Sequence, residues 1–158
     1  MIVIDASILA NALIDPSSTG QKTRNALMGQ QNICAPDCID VETYSVFRKM
    51  WLRKILSDGE FHQAVRVLSE LSLQRYKSRH LLSRAYTHRH NVGAYDAAYV
   101  ALAEELECAL LTADIRLSTA PKPHMRSFSG RLVVRESVGE VIDPVAQSHQ
   151  HALTKSDL

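Results

Sequence analysis

The sequence predicts one α/β domain whose central sheet is mainly parallel. Short apolar runs alternate along the chain with segments of helical periodicity, an alternation typical of βαβ units. The length of 158 residues suits a single hydrophobic core. Hydrophobic residues make up 46% of the chain, a share too high for a disordered protein. No internal repeat or linker-like stretch indicates a second domain.

The first half of the chain is punctuated by prolines that separate its elements. The predicted elements are a strand at 1–4, helices at 6–14 and 21–30, a strand at 32–36, and helices at 39–56 and 58–73. Pro16 breaks the first helix, and Pro36 ends the second strand. We expect Asp58 to cap the last of these helices.

The second half repeats the alternation. The predicted elements are a strand within 74–78, helices at 80–91 and 94–107, a strand at 108–113 and a last strand at 131–134. Asn91 and Gly93 are expected to end the helix before them, and a loop contains Pro121 and Pro123. The predicted domain covers residues 1–142, and residues 143–158 form a polar tail that is expected to be flexible.

Bulk features exclude several classes of protein. No apolar run approaches the ~20 residues that cross a bilayer, and the apolar N-terminus lacks the basic lead of a signal peptide. We therefore expect a cytoplasmic protein without a membrane partner. Three cysteines, Cys34, Cys38 and Cys108, indicate free thiols. No second ligand pair follows Cys34 and Cys38 at zinc-site spacing, and Cys108 is expected in the core.

The formal net charge is only +1, but basic residues cluster. Two runs without acids contain Arg48, Lys49, Arg53 and Lys54 in the first, and Arg75, Lys77, Arg79, Arg84 and Arg89 in the second. Each run on its own is explained by a solvated helix face. Together they also leave room for a polyanionic partner.

Four acids occupy comparable places in the predicted fold. Asp5 and Asp114 each follow a strand, whereas Glu42 and Asp96 lie in the first turns of helices. Strand C-termini and helix N-termini share one edge of a parallel sheet, which is where ligands bind in such folds. We therefore expect the four carboxylates to converge at this edge.

Each acid also has a purely structural interpretation. Asp96 could cap a helix, Asp5 and Asp114 could be turn residues, and Glu42 could lie on a helix surface. Four carboxylates on one edge would nevertheless repel one another and raise their pKa values. Such a cluster favours a bound hard cation, Mg²⁺ or Mn²⁺. No histidine pair has ligand-like helical spacing near these acids, which makes a zinc hydrolase less favoured.

Three blocks of the sequence resemble the PIN-domain family over roughly residues 1–135. These blocks are "MIVIDASILA", "APDCIDVETYSVFRK" and "YDAAYVALAEELECALLTADIRL", and the third is the most specific. Within the family, the short single-domain form resembles VapC-type toxins of bacterial toxin–antitoxin pairs. The resemblance implies a three-layer α/β/α fold with a mainly parallel sheet of four to five strands.

The resemblance also implies a metal-dependent endoribonuclease with Mg²⁺ or Mn²⁺ as cofactor. The family's acidic residues carry over to Asp5, Glu42, Asp96 and Asp114, with Asp5 and Asp96 expected as direct metal ligands. Ser7 falls where the family often has Ser or Thr. Some members have a further acid soon after the position of Asp114, but "IRLSTA" contains none. The implied partners are RNA, a cognate antitoxin protein and a second copy in a homodimer.

RNA would need positive charge around the acids, and the two basic runs adjoin them in sequence. Arg116 is a candidate phosphate contact. Tyr95 and Trp51 could stack on bases, although core packing is the favoured use of both.

Three rival functions remain open at this stage: a metal-dependent nuclease for structured DNA, a non-catalytic RNA-binding domain, and a phospho-accepting signalling domain. The last would need a lysine near a late strand, and none lies between Lys77 and Lys122.

Overall fold

The computed structural model describes residues 1–114, Leu117 and the backbone of residues 132–134. Its strands are β1 (Ile2–Ile4), β2 (Ile33–Pro36), β3 (Gln74–Tyr76), β4 (Ala109–Thr112) and β5 (Leu132–Val134). The helices in this part of the chain are α1 (Ala6–Ile14), α2 (Ser18–Met28), α3 (Ile39–Leu52), α4 (Asp58–Glu70), α5 (Ser78–Ala85) and α6 (Ala94–Glu105), and a 3₁₀ turn covers Tyr86–His88.

The strands form one parallel sheet in the order β3-β2-β1-β4-β5. The chain runs outward from β1 through β2 to β3, and then returns to β4 on the other side of β1. The direction of winding therefore reverses between β1 and β4. In open parallel sheets this reversal opens a crevice at the carboxyl ends of the strands. Asp5 and Asp114, which follow β1 and β4, lie beside that crevice.

Helices cover the sheet in two groups, giving the α/β/α sandwich expected from the sequence. On one side α1 packs against α2, α3 and α4, and on the other α5 packs against α6, which lies against β1, β2 and β4. The core is built from the strands and the inner helix faces, and its largest fully buried side chains include Tyr99, Phe47, Ile4 and Ile39. Cys108 is buried at the start of β4, as predicted.

Most predicted elements are confirmed, but several helices differ in extent. Helix α2 begins at Ser18 and ends at Met28 where 21–30 was predicted, and α4 ends at Glu70 where 58–73 was predicted. Helix α3 ends at Leu52 rather than Leu56, because Lys54 adopts a positive φ of 61° that a helix cannot continue through. The predicted helix at 80–91 divides into α5 and the 3₁₀ turn. The loop with Pro121 and Pro123, and the tail at 143–158, lie outside the described residues, so the boundary at 142 stays a prediction.

The prediction that Asp58 caps α4 is wrong. Ser57 is the N-cap, and its hydroxyl accepts a hydrogen bond from the backbone N–H of Glu60 at 3.3 Å. The Glu60 carboxylate accepts the backbone N–H of Ser57 at 2.8 Å, which completes a capping box. Asp58 instead accepts a hydrogen bond from Trp51 Nε1 at 2.5 Å and ties α4 to the end of α3.

Replacing Ser57 with alanine is expected to destabilise the fold by about 1 kcal/mol, because α4 loses a side-chain acceptor at its N-terminus. Chemical denaturation measures the change in the free energy of unfolding. Ser69→Ala, which removes a hydroxyl near the other end of α4, is the matched control. Equal stabilities for the two variants would show that the cap does not contribute.

None of the described helices is both long enough and apolar enough to cross a membrane.

Candidate active site at the carboxyl edge of the sheet

Asp5 lies at the end of β1 and is nearly sealed from solvent, with 5% of its surface exposed. Its Oδ1 accepts hydrogen bonds from Ser7 Oγ at 2.6 Å and from the backbone N–H of Ile8 at 3.0 Å, so Asp5 is also the N-cap of α1. Its Oδ2 accepts the hydroxyl of Thr112, from the end of β4. These three donors hold the carboxylate at the crevice between β1 and β4.

Burial raises the pKa of Asp5, and the hydrogen bonds from Ser7, Thr112 and the backbone lower it only in part. A carboxylate held in such a place is costly to ionise without a nearby cation. Oδ1 already accepts two donors, whereas Oδ2 accepts one from the described residues. Because each carboxylate oxygen has two lone pairs, Oδ2 is the atom better suited to a further ligand.

Glu42 lies in the first turn of α3, immediately beyond β2. Its Oε2 accepts the hydroxyl of Tyr99, from α6, at 2.5 Å. The thiol of Cys38, one turn earlier, approaches the same oxygen at 3.7 Å. Glu42 therefore joins helices from the two opposite faces of the sheet.

Two other predicted acids, Asp96 and Asp5, act electrostatically on Glu42. Burial raises its pKa, the hydrogen bonds from Tyr99 and Cys38 lower it, and the negative charges of Asp96 and Asp5 raise it again. The net shift is upward. Carboxylates influence one another most strongly over short distances, so Asp96 and Asp5 lie within electrostatic reach of Glu42.

Asp96 occupies the first turn of α6, where the helix dipole stabilises a negative charge. A Cβ atom built on Gly93, the residue that precedes α6, would come within 3.2 Å of Asp96 Oδ2. The carboxylate is thus folded back over the N-terminus of its own helix. A glycine at position 93 leaves room for it.

Asp114 follows β4 and is joined to Asp5 through Thr112. Its backbone N–H donates to Thr112 Oγ1 at 3.0 Å, and that hydroxyl donates to Asp5. Ser7 adds a second connection, since its oxygen accepts the N–H of Ala113 at 3.1 Å while its hydroxyl donates to Asp5. Ser7 thus orients Asp5 and fixes the end of β4.

Sequence reasoning did not identify Thr112 or Tyr99 as site residues. Thr112 stands two residues before Asp114, at the end of a strand that follows an acid-bearing helix, and that position was the available signal. Tyr99 follows Asp96 by three residues, so the two share one helix face. Both are fully buried and resemble ordinary core residues in sequence.

The two aromatic candidates for base stacking differ in the structure. Trp51 packs against Phe61 with ring centroids 5.9 Å apart, as the core interpretation predicted. Tyr95 is 63% exposed directly beside Asp96, so its predicted use in the core is wrong. Arg116 lies outside the described residues.

The basic runs contribute less to the rim of the site than their sequence positions suggested. Arg53 and Lys54 follow the last residue of α3, Leu52, which lies roughly 15 Å from Glu42 along the helix axis. Arg75 forms a bidentate pair with Asp40, with Nε 2.7 Å from Oδ2. Arg84 pairs with Glu104 at 3.2 Å. Arg79 is exposed in the first turn of α5, whose N-terminus follows the carboxyl end of β3.

The donor set fits a magnesium-like ion. Among residues 1–114 and 117, no group of three or more histidine, cysteine or acidic side chains is arranged to hold a metal ion. Magnesium does not require such a group, because it is commonly held by one or two carboxylates, with water and substrate phosphate completing the shell. The donors here are carboxylate oxygens. Burial raises the pKa values of Asp5 and Glu42, and the charges of Asp96 and Asp5 raise that of Glu42 further, so a bound cation would favour the ionised carboxylates.

Comparison with known proteins identifies the family to which this chain is similar. The PIN-domain model matches residues 2–123. A VapC ribonuclease of Mycobacterium bovis is 38% identical over 118 residues, covering 75% of this chain and 89% of that relative. Ribonuclease VapC1 of Mycobacterium tuberculosis is 35% identical over 120 residues, covering 75% of this chain and 90% of the relative.

Among solved structures, Mycobacterium tuberculosis VapC20, a sarcin–ricin loop cleaving toxin, superposes with a TM-score of 0.57 at 12% identity. The alignment covers 75% of this chain and 93% of that one, and it supports the fold alone. The chain belongs to the PIN-domain family. Within that family it is a VapC-like member.

Proposed function

We propose that the protein is an endoribonuclease that hydrolyses RNA phosphodiester bonds with Mg²⁺ or Mn²⁺, and that it is the toxin of a toxin–antitoxin pair. Its VapC relatives are named ribonucleases. The observation that carries the proposal is the position of three acids at the carboxyl edge of the sheet: Asp5 follows β1, and Glu42 and Asp96 lie in the first turns of α3 and α6. Acids gathered in this way are suited to a cation that in turn attracts a phosphate.

Asp5 and Asp96 are the proposed direct metal ligands, and Glu42 and Asp114 act through water or orient the others. A bound divalent ion supplies positive charge at the phosphate and makes water a better nucleophile near neutral pH. Asp5 is held rigidly by Ser7, Ile8 and Thr112, which favours ligation with little reorganisation.

Glu42 is the proposed proton acceptor. Its pKa is raised, and it is only half-buried, whereas Asp5 is sealed. A carboxylate with a raised pKa accepts a proton from water more readily than an ordinary one.

The proposed partners are RNA, a cognate antitoxin that covers the acidic edge, and a second copy of the chain in a homodimer. RNA approaching the acids needs cations at the rim, and exposed Arg79 at the start of α5 is a candidate phosphate contact. The exposed ring of Tyr95 beside Asp96 offers a surface for an unpaired base. We place the protein in the cytoplasm, where its RNA substrate is found.

Metal-dependent cleavage of RNA tests the proposal. Purified protein is incubated with total cellular RNA and with structured DNA, each in Mg²⁺, in Mn²⁺ and in a chelator, and the RNA ends are sequenced. We expect discrete new RNA ends that require the metal. Cleavage confined to DNA would favour the structured-DNA nuclease, and RNA binding without cleavage would favour a non-catalytic domain.

A further inference from the structure

We propose that Tyr99 is a positioning residue for the acidic site, holding one oxygen of Glu42 so that the other is presented to the metal and its water. The inference rests on the proposed function and deepens it. It starts from a single contact, in which the Tyr99 hydroxyl donates to Glu42 Oε2 at 2.5 Å. A hydrogen bond to an ionised acceptor is shorter and stronger than one between neutral groups.

Tyr99 can act only as a donor in this contact. Its side chain is 1% exposed, and its hydroxyl contacts Glu42 Oε2. An ionised carboxylate oxygen only accepts hydrogen bonds, so the phenol is the donor. A buried hydroxyl that donates in this way favours an ionised and fixed Glu42 carboxylate.

The position of Tyr99 on α6 explains why such a donor is needed. Tyr99 lies three residues after Asp96, on the same helix face. The charge of Asp96 acts on Glu42 and would push the two carboxylates apart. The hydrogen bond from Tyr99 opposes that separation, because it ties Glu42 to the helix that carries Asp96.

The contacts of Glu42 also distinguish its two oxygens. Tyr99 and the thiol of Cys38 both approach Oε2. The thiol is the weaker of these two hydrogen-bond donors. Within the described part of the chain, both hydrogen bonds thus fall on one oxygen, and Oε1 is the oxygen that remains for the metal or its water.

Replacing Tyr99 with phenylalanine tests the inference, because it removes only the hydroxyl from a packed ring. Partners of metal-binding side chains typically contribute 10–100-fold to metal affinity or activity. We therefore expect Tyr99→Phe to bind Mn²⁺ about 10–100-fold more weakly than the wild type, measured by electron paramagnetic resonance of free Mn²⁺. The Mg²⁺ concentration for half-maximal cleavage should rise in parallel, and KM for RNA at saturating metal should not change.

The matched control is Tyr44→Phe, which removes a phenolic hydroxyl from the partly exposed surface of α3, where the ring packs against Phe61. It should bind Mn²⁺ as the wild type does. Glu42→Gln should itself weaken Mn²⁺ binding, and adding Tyr99→Phe to it should weaken binding no further. Such non-additivity identifies a residue that acts through its neighbour.

Wild-type Mn²⁺ affinity in folded Tyr99→Phe would overturn the inference, and so would additive effects of the two substitutions. A loss of fold, seen in circular dichroism of Tyr99→Phe, would also count against it, since it would assign the hydroxyl a structural role. These outcomes are distinct from failure of the proposed function, because if that function failed the wild-type protein itself would cut no RNA.

Discussion

Asp5→Asn is expected to abolish RNA cleavage while the protein remains folded. Asparagine keeps the shape of the aspartate side chain and can still accept hydrogen bonds from Ser7 Oγ and the N–H of Ile8. It has no negative charge to attract a cation. The rate should fall by more than the 10–100-fold that loss of an outer partner of a metal ligand typically causes. Single-turnover cleavage of a defined RNA at saturating Mg²⁺ measures the loss.

The same substitution should change how stability depends on pH in the metal-free protein. The pKa of Asp5 is raised on folding from 3.8, mainly by burial. A raised folded-state pKa means that its favourable contribution is complete below 3.8 and is lost as pH rises through the folded value. In a chelator, Asp5→Asn should therefore gain stability relative to the wild type as pH rises through this window.

Asp15→Asn is the matched control, because Asp15 lies at the opposite end of α1 and accepts the backbone N–H of Ser17 at 2.9 Å. It should cleave RNA at the wild-type rate. Cleavage by Asp5→Asn at the wild-type rate would show that Asp5 is not part of the catalytic site. A stability difference between Asp5→Asn and the wild type that does not vary with pH would show that folding does not raise the pKa of Asp5.

Expression of the wild-type protein without a partner is expected to halt bacterial growth, and Asp96→Asn is expected to restore it. Asp96 lies in the first turn of α6 and its charge acts on Glu42, and its replacement removes a proposed metal ligand. Colony counts and growth curves after induction, with soluble protein measured on blots, give the result.

Glu105→Gln, near the exposed end of α6, is the control and should halt growth as the wild type does. Growth arrest by soluble Asp96→Asn would show that toxicity does not depend on the Asp96 carboxylate. Normal growth with abundant, folded wild-type protein would count against a toxin.

Strand–helix alternation was sufficient to predict the parallel sheet, and the placement of Asp5, Glu42 and Asp96 followed from it. Acids that begin helices or end strands must share an edge in such a sheet. The N-cap of α4 was harder to predict, because Ser57 and Asp58 are both good N-cap residues and only the backbone geometry distinguishes them.

The supporting contacts could not be predicted for a different reason. Tyr99 and Glu42 are 57 positions apart, and Thr112 and Asp5 are 107 apart. Tyr99 and Thr112 are neutral residues in apolar segments, so their sequence positions indicate burial and not a partner. The number of basic residues near the acids was overestimated for a related reason. Adjacency in sequence does not reveal that the length of α3 separates Arg53 and Lys54 from Glu42.

The central claim is that the acids surround a divalent cation, and anomalous scattering from crystals soaked in Mn²⁺ tests it most directly. The predicted result is an anomalous peak within coordination distance of Asp5, joined directly or through water to Asp96, Glu42 or Asp114. An occupied Mn²⁺ site elsewhere with none at this edge, or no peak at saturating Mn²⁺, would contradict the claim.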